Sequence, residues 1–356
     1  MHFSDGQVPA EYRRYIGIKL LLICLTGGLL ALALVISISM GAAHIPLADV
    51  GRTLAGWTVS KRYDVIIWNI RLPQALAAIM AGAGLAVAGA VMQAILRNPL
   101  GSPFTLGISH AAAFGAAFSV MILGGGIMGS TNTDAVNITN PYLTTGAAFL
   151  VSLIAAGVIV AVSRLRGSTP EVMILTGVAL GALFTAGTMF LQFFADDVQL
   201  AAMVFWSFGD TARASWSELG VMTAVTVATS AYFLANAWNY NAVDAGDETA
   251  KGLGVRVDRV RVIGMMLASM LTAVIIAFLG IIGFVGLVVP HMVRRVIGSD
   301  HRFLLPGSIL AGGLLLLVSD TAARLVLAPH MLPVSVLTAF MGAPVFIYLI
   351  IRGQRR

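Results

Sequence analysis

An all-α, polytopic membrane protein is the fold class this sequence predicts, and three observations carry the prediction. Of its 356 residues, 58% are hydrophobic. Only 11% are charged, against about a quarter in soluble domains. Apolar runs of roughly 20 residues, the length a helix needs to cross a bilayer, recur along the chain. The plainest are Leu20–Ala42, Leu72–Leu96, Leu143–Val162, Ile263–Phe278 and Leu304–Val318. The whole of 1–356 reads as one transmembrane domain with no soluble domain.

Taken in order, the first span lies near 17–42, behind Arg13, Arg14 and Lys19. Its apolar run exceeds the roughly 7–15 residues of a signal-peptide core, so an uncleaved span is expected despite the small residues at Gly41–Ala43. Cys24, the one cysteine, lies inside it and can form no internal disulfide. His44–Arg71 then reads as a short amphipathic surface segment, "LADVGRTLAGW". The second span, near 72–96, carries Gly82, Gly84 and Gly89. The Asn-Pro of "RNPL", Arg97–Leu100, breaks the chain before a third span near 103–124.

A polar loop, Gly124–Pro141, contains Asn137-Ile138-Thr139, which fits the glycosylation pattern by chance. Spans near 142–163 and 171–194 follow, the second bearing Gly177, Gly181 and Gly187. Small residues there let helices approach closely; they would equally suit the wall of a wide passage. After a span near 218–237 comes Asn239–Arg261, the most charged stretch. Its acids precede its bases, the polarity that complements a helix dipole. A short helix ending near Gly252 or Gly254 is therefore expected. The last spans lie near 262–280, 283–297, 304–323 and 333–351, making ten.

Ten spans put both termini on one side. Sixteen of the 22 Lys and Arg residues then fall in segments on that side, which the positive-inside rule makes cytoplasmic. The net charge of +6 thus reflects orientation and needs no nucleic-acid partner.

The motifs exclude more than they assign. No G-x-x-x-x-G-K-[ST] loop is present to cradle ATP, no H-E-x-x-H, and the six histidines never stand at i,i+4. Ion-coupled carriers keep an ionisable group within a span, because burying one is costly. The best candidate is Asp320, four residues before Arg324, a spacing that a plain helix-face ion pair explains equally. A chain that moves solute with neither a charge relay nor a nucleotide site must draw energy from another subunit.

Two long stretches, "RLPQALAAIMAGAGLAVAGAVMQAILRNPLGSPFTLGIS" (Arg71–Ser109) and Gly283–Ile350, opening "GFVGLVVPHMVRR", resemble the FecCD-type permeases of ABC importers. So does "FWSFGDTARASWSEL" at Phe205–Leu219. Members of that family take up ferric siderophores, haem and cobalamin.

The resemblance implies a type II ABC importer permease with both termini cytoplasmic. Its partners would be a second permease copy in a homodimer, two cytoplasmic ATPases that bind ATP-Mg, and a periplasmic or lipid-anchored binding protein. The chain itself would hold no cofactor or metal. The resemblance further implies that 239–261 docks on the ATPase through Asp247, Glu248, Ala250, Leu253 and Gly254. Arg71 and Arg324 would meet acidic residues of the binding protein, supported by Arg62 and Lys61 because Gln74 stands where the family often has a second arginine. The passage would be lined by Thr176, Gly177, Gly181, Thr185, Gly187, Pro333 and Thr338, with His110 either touching solute or bonding a neighbouring helix.

Pro290-His291 ends an apolar run where Arg294 and Arg295 reach the boundary. Proline removes a backbone donor, and His291 is expected to pack or to bond a freed carbonyl. Two other readings remain, an ion-coupled carrier or channel working without an ATPase, and an inert scaffold subunit.

Overall fold

The computed structural model describes residues 10–41, 43–57, 59–124, 141–167, 169–327 and 331–353. The interior of the expected polar loop, with its Asn137-Ile138-Thr139, and the terminal Arg355 and Arg356 lie outside them. Fifteen α-helices follow one another among the described residues. They are α1 (Ala10–Ser39), α2 (Leu47–Leu54), α3 (Lys61–Asp64), α4 (Leu72–Ile95), α5 (Ile108–Met121), α6 (Pro141–Leu165), α7 (Pro170–Phe194) and α8 (Asp197–Ser207). After these come α9 (Trp216–Ala235), α10 (Ala237–Asp244), α11 (Asp247–Gly252), α12 (Val257–Leu279), α13 (Val285–Ile297), α14 (His301–Val326) and α15 (Val334–Gly353). A π-helical stretch, Val65–Arg71, feeds α3 into α4, and no strand occurs among the described residues.

Seven helical stretches are long and apolar enough to cross a bilayer, those of α1, α3–α4, α6, α7, α9, α12 and α14. Three other expected segments carry shorter helices. One is α5, which starts late because the chain turns through Pro103 to Gly107, whose φ of +78° suits glycine. The others are α13, with 13 residues, and the apolar part of α15, Val334–Tyr348. Helix α8 is an addition to the expected elements. Its start is fixed by a capping box in which Asp196 and Gln199 satisfy one another's backbone amides.

The centre of the bundle is α4. Its residues alternate among Ala, Gly and small aliphatics, so it offers no ridge that would hold neighbours away. It packs against α9, α12, α13 and α14, and nearly all its side chains are buried. Two glycine pairs set the closest approaches. A methyl group on Gly82 would overlap the Gly312 carbonyl of α14, and one on Gly89 would overlap the Gly286 carbonyl of α13.

The second contact explains the Pro290-His291 pair. Proline at 290 cannot donate to the carbonyl four residues back, which is Gly286. That freed carbonyl lies against Gly89, where no side chain intervenes. Gln93 Nε2 donates to the next carbonyl, Leu287 O, at 3.1 Å. Of the two expectations for His291, packing or a bond to a freed carbonyl, packing is the one observed, because α4 covers the carbonyl. The His291 ring packs edge-on against Phe346, 6.1 Å between centroids. Neither of its nitrogens has a partner among the described residues.

The backbone-to-backbone seam yields a stability prediction. Gly89→Val should lower the thermal unfolding midpoint in detergent by the equivalent of about 3 kcal/mol, an overpacking cost. Gly28→Val, at a position on α1 with open space around it, should leave the midpoint unchanged. Equal behaviour of the two variants would contradict this packing.

Candidate functional site

At one end of the bundle, α10 and α11 form a short charged excursion between α9 and α12. Helix α11 is bounded by glycines in backbone conformations that disfavour side chains, Gly246 at φ +121° and Gly254 at +81°. Its anchor is Ala250, fully buried among Ala242, Val243 and Val257. Its outer surface carries Glu248, paired with Lys251 at 3.0 Å, and Leu253, which is 70% exposed.

Asp247 faces inward. Its carboxylate takes two hydrogen bonds from Arg261 Nη2, at 2.9 and 3.1 Å. Arg261 is itself buried and donates through Nε to Ile95 O at 2.9 Å. Ile95 is the last residue of α4, whose final carbonyls lack intrahelical partners and carry partial negative charge. One guanidinium thus ties α11, α12 and the end of α4 together. A cavity of about 540 Å³ opens beside α11, lined among others by Arg97, Thr169, Glu171, Asp247, Glu248 and Thr249.

The excursion has a second tie. Asn241 of α10 donates to Asp300 at 2.9 Å and accepts from the His301 backbone at 2.8 Å. Asp300 caps α14 and is also held by Arg302 at 2.6 Å. Burial disfavours its charge, but the bonds from Arg302 and Asn241 outweigh that and bring the carboxyl down to about 2. Nearby, burial raises the Asp244 carboxyl above its usual range, opposed by Arg294 and Arg97.

The other end of α4 holds a buried polar network. Asp320 accepts from Arg324 Nε at 3.1 Å, from Gln74 Nε2 at 3.1 Å and from the Thr211 hydroxyl. Arg324 also donates to Ser37 of α1 at 2.7 Å. Gln74, read from sequence as a weakened docking position, serves here as a neutral donor to a carboxylate. Arg71 is buried, donating to Ile38 O at 2.7 Å, Ser39 O at 2.9 Å and Ala43 O. It caps the end of α1, so its expected place on an open docking rim is corrected. Arg62 and Lys61, on α3, are exposed.

The expected passage residues are distributed differently from the sequence reading. Gly177 and Gly181 press against Leu106 and Gly107, and Gly187 lies under Phe114. They are seams between α7 and the segment around α5, because a smooth helix face is also what close packing selects. Thr176 and Thr185 are half-buried, the latter bonded to its own helix at Gly181 O. Thr338 is buried and bonded to Ser335 O, while Pro333 is half-buried ahead of α15. The open face of α7 runs instead through Leu175, Ala179, Ala182, Ala186 and Met189. His110 packs on Phe104, 5.2 Å between centroids, and its Nδ1 has no partner among the described residues.

A cavity of about 430 Å³ between the starts of α6 and α9 and the end of α12 escaped the sequence reading. Tyr142, Trp206, Arg213 and Glu218 are among its walls. The signal for it lies in the "FWSFGDTARASWSEL" stretch, which supplies Phe205, Trp206, Arg213 and Glu218. Arg213 is spent on the Trp206 and Phe205 carbonyls. No cluster of metal-ligating side chains occurs among the described residues.

Residues 29–352 match the FecCD transport family. The chain belongs to that family. An ABC transporter permease protein of Methanocaldococcus jannaschii is 51% identical over 98% of this chain and 99% of its own length. The hemin transport system permease protein of Yersinia pestis is 38% identical over 91% of this chain and 95% of its own. A solved metal-chelate type ABC transporter in an inward-facing conformation superposes with a TM-score of 0.80 at 29% identity, covering 93% of this chain and 98% of that one. The FecCD chain is therefore the permease subunit of an ABC importer, a transport component and not an enzyme. Nothing here favours the carrier working without an ATPase.

The Asp300 tie predicts a pH dependence. Its folded value lies below the ordinary carboxylate value of about 3.9, so the stability it lends is complete above that value and drains away as pH falls towards 2. Thermal midpoints of wild type and Asp300→Asn should differ at neutral pH and converge on acidification. A constant difference across that window would contradict the assignment.

Proposed function

We propose that this permease passes a ferric siderophore or a related metal chelate, such as haem or cobalamin, from an external binding protein to the cytoplasm. Ten crossings place α10 and α11 in the cytoplasm with both termini. There α11 rests on one of two ATPase subunits, with Leu253, Glu248 and the adjoining cavity as the contact. Asp247, Ala250 and Gly254 serve the same contact from within, by fixing the helix on the bundle. The ATPases bind ATP-Mg, and the permease holds no cofactor of its own.

The observation that carries this reading is the build of α11: an exposed leucine and charged pair on a helix whose inner side is locked to α4 and α12 by Arg261. A solvated loop needs no buried guanidinium to hold it. A lever does.

A second permease copy completes a homodimer through the apolar open faces of α7 and α15. The solute path runs on the axis between them, past Ala179, Ala182 and Ala186. On the outer side, Arg62 and Lys61 meet acidic lobes of the binding protein. Arg71 and Arg324 act beneath them by holding the ends of α1 and α14 in place. The relatives' stated cargoes support a large metallated solute: hemin, vitamin B12 and iron(3+)-citrate.

The experiment is uptake of a labelled ferric chelate into proteoliposomes. Uptake should require the ATPase, the loaded binding protein and ATP together. Accumulation by purified permease alone under a proton gradient would overturn the reading. Arg62→Glu with Lys61→Glu should slow association of the loaded binding protein at low salt and lose that effect at high salt, as rim charges do. Unchanged association at every ionic strength would remove α3 from the docking surface.

A further inference from the structure

We infer that the cleft between the C-terminal end of α6 and the N-terminal end of α12 binds the phosphodiester headgroup of an anionic phospholipid. A cavity of about 390 Å³ sits there, walled by Arg164, Asp258, Arg259, Val262 and Ile263. This site goes beyond the transport reading and does not depend on the ATPase or the solute.

Three observations converge on it. First, Arg164 and Arg259 come from different helices and are exposed, and neither has a hydrogen-bond or ion-pair partner among the described residues. Asp258 stands in the same wall but forms no bridge with them among the described residues, although its charge would allow one. Charges that ring a void without closing on each other leave room for an anion between them. Second, α12 begins without a side-chain cap. Its first amides lack intrahelical partners and add positive potential at the same spot.

Third, the cleft continues into apolar surface. Leu150, Ile154, Val158 and Ala161 form one exposed stripe on α6, at spacings of three and four, that runs down to Arg164 and Leu165. On α12, Ile263, Met266 and Met270 lie half-buried above the cavity at the same kind of spacing. A phosphate between two guanidiniums with acyl chains along these stripes uses every part of the cleft. A free phosphate uses the basic end only. Arginine suits the role through its planar set of donors.

The test is native mass spectrometry of the full-length permease from phosphatidylcholine nanodiscs with and without phosphatidylglycerol. Wild type should retain phosphatidylglycerol in preference to phosphatidylcholine. Arg164→Gln and Arg259→Gln should each weaken retention about fivefold, and the pair about thirtyfold, given roughly one unit of surface attraction per basic residue. Arg52→Gln, a distant exposed arginine paired with Asp49, should change nothing. Asp258→Asn removes a repulsive charge and should strengthen retention, which keeps the proposal testable if the arginine variants fold poorly.

Equal retention by the double variant, or weaker retention by Asp258→Asn, would overturn the site. Displacement of the lipid by inorganic phosphate or glycerol phosphate at comparable concentration would also overturn it, since the apolar stripes would then contribute nothing.

Discussion

Backbone-to-backbone contact around α4 is the constraint on which the remaining structure depends. A helix of Ala, Gly and small aliphatics can be approached on all sides, and in lipid that close fit replaces the hydrophobic drive that assembles soluble cores. The Gly82–Gly312 and Gly89–Gly286 seams bring carbonyls onto bare Cα atoms. Interfaces this tight slide poorly but transmit displacement well, because a packed seam shifts between discrete arrangements and does not deform gradually.

Polar chemistry is then confined to the two ends of that rod. At one end Arg261 joins Ile95 O to Asp247 of α11. At the other Gln74 joins α4 to Asp320, and through it to Thr211 and Arg324. Arg261, Asp247, Asp320 and Arg324 each find an oppositely charged partner there, as a membrane interior favours. Asp320 was the residue that an ion-coupled carrier would have used. Its carboxylate instead accepts from three donors, which suits a fastening better than a proton relay.

Much of the fold was legible because hydropathy and helix length are strong signals at this composition. The helix start at Val285 follows the sequence reading closely. So does α11, whose acids, bases and terminal glycines were readable as a dipole-matched short helix. The helix read as beginning at Leu72, by contrast, continues back through the π-helical turn to Lys61. The direction in which a residue faces was less legible. Gly177, Gly181 and Gly187 satisfy the pattern of a smooth wall and of a tight seam equally, and only the position of Gly107 and Phe114 decides between them. Arg71 reads as a boundary arginine, yet the carbonyls it caps lie 28 to 33 residues earlier in sequence, at the end of α1. His291 packs on Phe346 and bonds no freed carbonyl because the Gly286 carbonyl lies against Gly89 of another helix. These are all tertiary facts that local pattern does not encode.

The buried guanidinium of Arg261 stands between the exposed helix α11 and the central rod. The most direct measurement is the number of solute molecules imported per ATP hydrolysed by the reconstituted transporter carrying Arg261→Met. The complex should assemble and hydrolyse ATP while import per ATP falls by about tenfold, within the range of couplings carried by such networks. An assembled variant that imports as much solute per ATP as wild type would contradict it.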